Sequence, residues 1–276
     1  MKIIKDGIQG GEEMSETPKL QTKDVCITYP LKGGGEITAV TDFNMTVNEG
    51  EFVCIVGPSG CGKSTMLGAV AGFQAAKTGS LYLDGKPIHG TGRDRGVVFQ
   101  QPSLFPWRTS LDNIIYGLEL AGVPKEERVE KGRGLLKLVG LESFESHYPN
   151  QLSGGMQQRV NVARALAIEP SLMLLDEPLG ALDAQTREFM QLELLRIKKA
   201  TNQTILFVTH DINEAVYLSD KVVVMTSRPG TIRETVEVNL PRPRPLEIKR
   251  SPEFLEYENY IWGLIVEEKD KGKVGI

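Results

Sequence analysis

The sequence predicts an α/β fold with a mostly parallel sheet at its core, an N-terminal antiparallel β subdomain and a helical subdomain set between core strands. Three observations carry that prediction. The segments SLMLLDE, DAQTREFMQLELLRIKKA, TILFVTH, DINEAVYLS and KVVVMT alternate short apolar runs with amphipathic ones, the order that builds a doubly wound sheet. EFVCIVG is an apolar run of the kind buried on both faces, and it enters a Gly-rich turn directly. From about Ser110 the pattern is helical, with breaks at Gly122-Val123-Pro124 and Tyr148-Pro149.

Along the chain, residues 1–19 are polar, rich in Gly and Glu and without strand or helix period, and read as a flexible tail. KDVCITYP and AVTDFNMTVNEG then read as antiparallel strands. A helix from Lys63 to about Gly72 should follow the Gly-rich turn, with strands near 79–83 and 96–100. Residues 20–250 are expected to form the main domain, its helical subdomain at about 101–165. Ser251-Pro252 can cap a last helix, 251–276, whose Phe254, Tyr257, Ile261, Leu264 and Ile265 share one face and should pack on that domain.

With 32 basic and 36 acidic residues, a net charge of -4, the chain has no broad basic field to hold nucleic acid by counterion release, so nucleic acid is not an expected partner. Cys26, Cys54 and Cys61 are odd in number and lack CxxC spacing, which predicts neither a disulfide framework nor a zinc ribbon. No apolar run approaches the roughly 20 residues needed to cross a bilayer. A membrane role would therefore work by docking onto a separate membrane subunit.

Gly57, Pro58, Ser59, Gly60, Cys61, Gly62, Lys63, Ser64 and Thr65 match GxxxxGK[ST] between a strand and a helix. The glycines let the backbone wrap a phosphate so that N–H groups and a helix N-terminus face the anion, and Lys63 adds a full charge. The Ser64 hydroxyl would reach Mg²⁺. This turn fixes a nucleoside triphosphate and no more, because kinases, GTPases and ATPases share it. LMLLDE, at 172–177, is an apolar strand that ends in two carboxylates, which suits Asp176 to Mg²⁺ and Glu177 to the attacking water. A helix cap or a solvated acid is the plain alternative for the pair.

Leu152, Ser153, Gly154, Gly155, Met156, Gln157, Gln158 and Arg159 form a second Gly-rich entry to a helix, which alone reads as a capped helix start. LSGGMQQR about twenty residues before LLDEP resembles the signature motif of ATP-binding cassette (ABC) ATPases, over nearly all of residues 20–270. The resemblance implies a P-loop NTPase core that hydrolyses ATP with Mg²⁺ as cofactor. It also implies roles for Gln100 as the Q-loop glutamine and a Mg²⁺ ligand, Asp183 as the D-loop aspartate, Glu177 as catalytic base and His210 as the switch histidine. Tyr29 is similar to the aromatic on which adenine stacks; an aromatic before proline at a strand end is otherwise a core or turn residue. It implies, further, a homodimer in which 152–157 of one subunit face the γ-phosphate held by the other.

One cassette, no fused span and only about 90 residues between Lys63 and Ser153 fit an importer with separate permease subunits. GRDRGVVFQ, LFPW, LGALDAQTR, FVTHDINEAVYLSD and SRPGTI resemble the nitrate/sulfonate/taurine branch. That resemblance implies uptake of a small anion such as nitrate, sulfonate, taurine or bicarbonate, a periplasmic or lipid-anchored binding protein, and a peripheral place on the cytoplasmic face of the membrane. The competing reading is a soluble ABC ATPase acting on ribosomes or DNA. Phe105, Pro106 and Trp107 are either a docking groove for a permease helix or buried packing.

Overall fold

The computed structural model describes residues 17–273, with side chains as far as Glu268. The expected tail lies outside the described residues up to position 16. Lys19, placed in that tail by its sequence, is instead buried, its ammonium paired with Asp84 at 2.8 Å and Glu49 at 3.2 Å.

The elements run β1 (Leu20–Pro30), β2 (Glu36–Val47), β3 (Phe52–Val56), α1 (Lys63–Ala71), β4 (Thr78–Leu83), β5 (Lys86–Pro87) and β6 (Arg95–Val98). Next come α2 (Ser110–Leu120), α3 (Lys125–Leu138), α4 (Gly154–Ala167), β7 (Leu172–Asp176) and α5 (Ala184–Thr201). The chain continues through β8 (Ile205–Val208), α6 (Ile212–Leu218), β9 (Lys221–Met225), β10 (Ile232–Glu237) and α7 (Pro252–Lys273). Among the described residues, those up to Thr91 and from Leu206 make one compact unit, and Gly92–Ile205 make the other.

In the first unit an antiparallel sheet has the order β2-β1-β4-β5, and β10, β9, β3 and β8 lie side by side in that order. Every residue of β3 is buried. Its sequence, Phe-Val-Cys-Ile-Val, offers no polar face, so it is stable only as a strand covered on both sides. It pairs in parallel with β9, Ile55 opposite Val223, and Thr209 N–H donates to Ile55 O at 3.2 Å just beyond β8. The tips of β3, β8 and β9 are thereby brought together at the start of the Gly-rich turn. β10 pairs antiparallel to β9 and, with β5, was not anticipated: within IRETVE only Val236 is buried, the pattern of an edge strand.

α7 buries Phe254, Tyr257, Ile261 and Ile265 as its periodicity predicts, while Leu264 is only half-buried. The same helix is tied to β10 by ion pairs from Arg233 to Glu267 and Glu268 and by Tyr260 Oη, which donates to Glu234 at 2.6 Å.

In the second unit β6 and β7 pair in parallel, Val98 opposite Leu175, and α2, α3 and α4 pack around Ile114, Leu118, Leu136 and Val160. Gly96 lies where a Cβ would come within 2.9 Å of Met173 Sδ and 3.0 Å of Ala165 O, so α4 can lie against this strand pair only over a glycine.

One buried charge organises the end of the first unit. Arg244 donates to the carbonyls of Val216, Tyr217 and Ser219 at 2.7–3.2 Å and to those of Val238 and Leu240 at 3.2 and 3.3 Å. It caps the C-terminus of α6 with positive charge, and burial pushes its guanidinium down to about 10. Arg244→Met should leave these carbonyls without a donor and lower unfolding stability by about 3 kcal/mol in urea titrations. A loss under about 1 kcal/mol would show that the carbonyls find other partners.

Candidate functional site

The turn at 57–65 is held in its shape by its surroundings. Gly60 and Gly62 have φ of 76° and 108°, left-handed backbone that side chains disfavour. A Cβ on Gly62 would meet Val40 Cγ2 at 2.7 Å and Ala39 O at 3.0 Å, so β2 presses on the turn from one side. From another side Met225 O stands 3.0 Å from where a Gly57 Cβ would be. Pro58 and Cys61 are buried, whereas Ser59, Gly60 and Ser64 are exposed, and Thr65 is half-buried. Burial pushes the Cys61 thiol up, which keeps it protonated at neutral pH.

Lys63 is buried, and its ammonium donates to Gly57 O at 3.0 Å and Pro58 O at 3.1 Å, lying across the loop it belongs to. α1 starts at Gly62 with no side-chain cap and no acid in its first turn. α4 starts at Ser153, whose neutral Oγ accepts from Met156 N–H at 3.3 Å, and it too has no acid in its first turn. The other described α-helices all place Asp or Glu at the N-cap or in the first turn: Asp112, Glu126, Asp183, Asp211 and Glu253 are examples. A carboxylate there stabilises a helix. α1 and α4 forgo it at the two Gly-rich entries, which leaves the backbone N–H groups facing a full positive potential for an external anion.

Tyr29, Gln74 and Thr65 form a cluster beside α1. Tyr29 Oη donates to Gln74 Oε1 at 2.6 Å and stands 3.3 Å from Thr65 Oγ1, while Gln74 Nε2 donates to Thr65 O at 2.7 Å. The Tyr29 ring is partly exposed, as a stacking platform requires. His210 is exposed at the tip of β8, lining a cleft of about 520 Å³ with Asp211, Glu258 and Trp262. Its neighbours are fixed. Thr209 Oγ1 donates to the buried Glu214 carboxylate at 2.8 Å, and Asp211 caps α6 through Asn213 and Glu214 N–H.

In the second unit Asp176 ends β7 and Glu177 follows with φ of 44°, a left-handed backbone that is strained for a non-glycine residue and typical of functional turns. Gln100 and Glu177 converge over Gly180: a Cβ there would lie 3.2 Å from Gln100 Nε2 and 3.8 Å from Glu177 Oε2. Ser153 and Gly154 are exposed at the head of α4. Leu152 and Gly155 are buried, and Met156 and Gln157 are half-buried. Gln157 Nε2 braces the entry by donating to Pro149 O at 2.9 Å and Leu152 O at 3.2 Å. Gly155 packs on α5, where a Cβ would come 2.5 Å from Thr186 Cγ2. Asp183 caps α5 by accepting from Thr186 N–H at 3.0 Å, and its hydrogen bonds with Thr186 hold its carboxyl below the usual range. Ser64, Gln100 and Asp176 each carry a side-chain oxygen, the hard ligand type that suits Mg²⁺ and not a soft metal.

A family model described as ABC transporter matches residues 40–180. The chain belongs to the ABC transporter family, and its activity is that of an ATP-hydrolysing cassette. An ABC transporter ATP-binding protein of Methanocaldococcus jannaschii is 53% identical over 250 residues, spanning 91% of this chain and 92% of that protein. The taurine import ATP-binding protein TauB of Escherichia coli is 45% identical over 84% of this chain and 93% of its own length. The nitrate import ATP-binding protein NrtD of Synechocystis is 46% identical over 84% and 89%. Among solved structures, a dimeric post-hydrolysis state of an ATP-binding cassette bound to ADP and Pi shares 35% identity at a TM-score of 0.69, covering 80% of this chain and 100% of that one. The cassette cbiO1 of Clostridium perfringens, part of the ABC transporter complex cbiONQ, gives 27% identity and a TM-score of 0.73 over 89% and 96%.

The sequence motifs point to these positions but not to the residues that support them. Gln74 carries no signature, and although Glu214 and most of the turn at 226–231 fall within the FVTHDINEAVYLSD and SRPGTI runs, those runs do not show the hydrogen bonds that these residues make. Within the turn at 57–65 the tightest demand falls on Gly62. Gly62→Ala should lower stability by about 1–3 kcal/mol and remove the upward shift of Tm that Mg-ATP gives the wild type. Thermal melts with and without nucleotide read both effects, and an undiminished ATP-dependent shift would contradict the assignment of the loop.

Proposed function

We propose that this ABC ATPase energises an importer of a small anion such as nitrate, sulfonate, taurine or bicarbonate, acting as a homodimer on the cytoplasmic face of the membrane. Support for import comes from relatives that are taurine and nitrate import ATP-binding proteins. One observation carries the mechanism: α1 and α4 both leave an N-terminus bare of acids, so the chain offers two anion-facing surfaces of different kind. Lys63 and the backbone of 57–65 bind the triphosphate, and Tyr29 stacks on adenine. Ser153 and Gly155 of the second subunit face the γ-phosphate.

Ser64, Gln100 and Asp176 are the residues that would hold Mg²⁺, which when bound neutralises phosphate charge. Glu177 accepts a proton from the water that attacks the γ-phosphorus as the bond to the bridging oxygen of ADP breaks. His210 contacts the γ-phosphate and Asp183 lines the dimer interface. ATP therefore closes the dimer and its hydrolysis lets it open.

Coupling to permease subunits falls to the segment after Gln100. Trp107 is 70% exposed, and Phe105 is half-buried between Trp107 and Tyr116 with ring centroids 5.6 and 4.8 Å away. Fully buried Asn113 holds the loop, accepting from Phe105 N–H at 2.8 Å and donating to the carbonyls of Phe105, Arg108 and Thr109 at 2.9–3.2 Å. A permease helix would cover Trp107 there. A periplasmic or lipid-anchored binding protein selects the anion, and the cassette never touches it.

Glu177→Gln keeps nucleotide binding but removes the proton acceptor, so it should slow hydrolysis at least roughly a hundredfold and accumulate a dimer on size-exclusion chromatography in Mg-ATP. A monomer, or normal turnover, would remove Glu177 from its role. Trp107→Ala should lower co-purification with permease subunits and uptake while leaving the isolated ATPase rate within about twofold. Unchanged uptake would return Trp107 to an ordinary surface residue.

A further inference from the structure

We propose that Arg228, in the turn after β9, is a positioning residue of the phosphate loop, clamping the Gly60 carbonyl outward so that the loop keeps its anion-binding shape. The proposal rests on the reading of 57–65 as the nucleotide site. Arg228 Nη2 and Nε both donate to Gly60 O, at 3.1 and 3.3 Å, across 168 residues of chain. Two donors of one planar guanidinium on one carbonyl fix its direction as a single flexible donor cannot. The Gly60 carbonyl and the Cys61 N–H share a peptide plane and point opposite ways, so fixing the carbonyl also fixes the N–H, which donates to Pro58 O at 3.3 Å within the loop.

The turn that carries Arg228 is itself anchored. Gly230 N–H donates to Ala39 O at 2.9 Å, and Gly230 O accepts from Thr41 N–H at 3.0 Å. A Cβ on Gly230 would lie 2.0 Å from Cys61 O, so the backbone of this turn rests directly on the phosphate loop. Thr226 closes the turn through backbone and side-chain bonds to Thr231, at 2.9 and 3.0 Å. β2 and this turn therefore hold the loop together, and Arg228 supplies a charged contact to an exposed, left-handed residue that has no side chain to restrain it. Its positive charge also adds to the potential an incoming triphosphate meets.

Arg228→Ala and Arg228→Lys, with wild type and Lys63→Ala as controls, are compared by Mg-ATP titration calorimetry, steady-state ATPase kinetics and thermal melts. Arg228→Ala should raise Kd and KM for ATP roughly tenfold, leave kcat within about threefold and leave the nucleotide-free Tm within about 2 °C. Arg228→Lys should recover part of the affinity, because an ammonium keeps the charge and can donate to the carbonyl, though from one nitrogen and not from a planar fork. Affinity within twofold of wild type in Arg228→Ala overturns the proposal, as does a fall in Tm with kcat and affinity lost together and no rescue by lysine. If wild type binds no better than Lys63→Ala, the nucleotide reading fails and the proposal falls with it. If wild type binds and Lys63→Ala does not, a normal Arg228→Ala sinks the proposal alone.

Discussion

A triphosphate can be taken from water only by a surface that has given up its own negative charge, and that constraint shapes this molecule more than any other. At α1 the sacrifice is double, because Gly62 supplies no cap and the first turn supplies no acid. Helix stability that a carboxylate would ordinarily add is left for the ligand to supply. The left-handed Gly60 and Gly62 then have to be held from outside, and the sequence spends distant segments on it: Ala39 and Val40 of β2, Met225 at the end of β9, and the turn with Arg228 and Gly230. Fully buried β3 and its neighbours β8 and β9 bring those segments to one edge.

The second unit meets the same constraint at α4 with a different solution. Ser153 caps the helix with a neutral oxygen, so the entry keeps both its order and its positive potential. Gly154 and Ser153 are exposed while Gly155 is pressed on Thr186, which makes the turn rigid on its inner side and open on its outer side. The acids of this unit stand elsewhere: Asp183 on α5, Asp176 and Glu177 at the tip of β7. The bare end of α4 and these carboxylates thus belong to different elements of the unit.

Much of this was legible from residues alone. Periodicity predicted the alternation from β7 to β9; residue type and spacing pointed to 57–65, Asp176 and Glu177, whereas 152–157 and His210 stood out only through the resemblance to ABC ATPases. Edge strand β10 escaped, since Glu234 stands between Ile232 and Val236 where strand alternation calls for an apolar residue. Lys19 escaped as well, a polar residue whose burial depends on Glu49 and Asp84 arriving from two other loops. The contacts of Arg228, within the SRPGTI run, and of Arg244 were invisible for a related reason. Each binds carbonyl oxygens, which every residue carries, so nothing in the partner segments announces the contact. Periodicity also overstated Leu264, whose place on the α7 face leaves it at the margin of the packing.

The central claim, that one subunit's phosphate loop works against the other's α4 entry, is tested most directly by mixing defects in a background where hydrolysis is blocked by Glu177→Gln. Lys63→Ala alone and Ser153→Arg alone should each retain no ATP through a desalting column. Mixed, they can form a dimer with one intact loop facing one intact Ser153 turn, and the account predicts close to one ATP retained per mixed dimer. Retention by either variant alone, or none in the mixture although both fold and associate, would contradict a shared site.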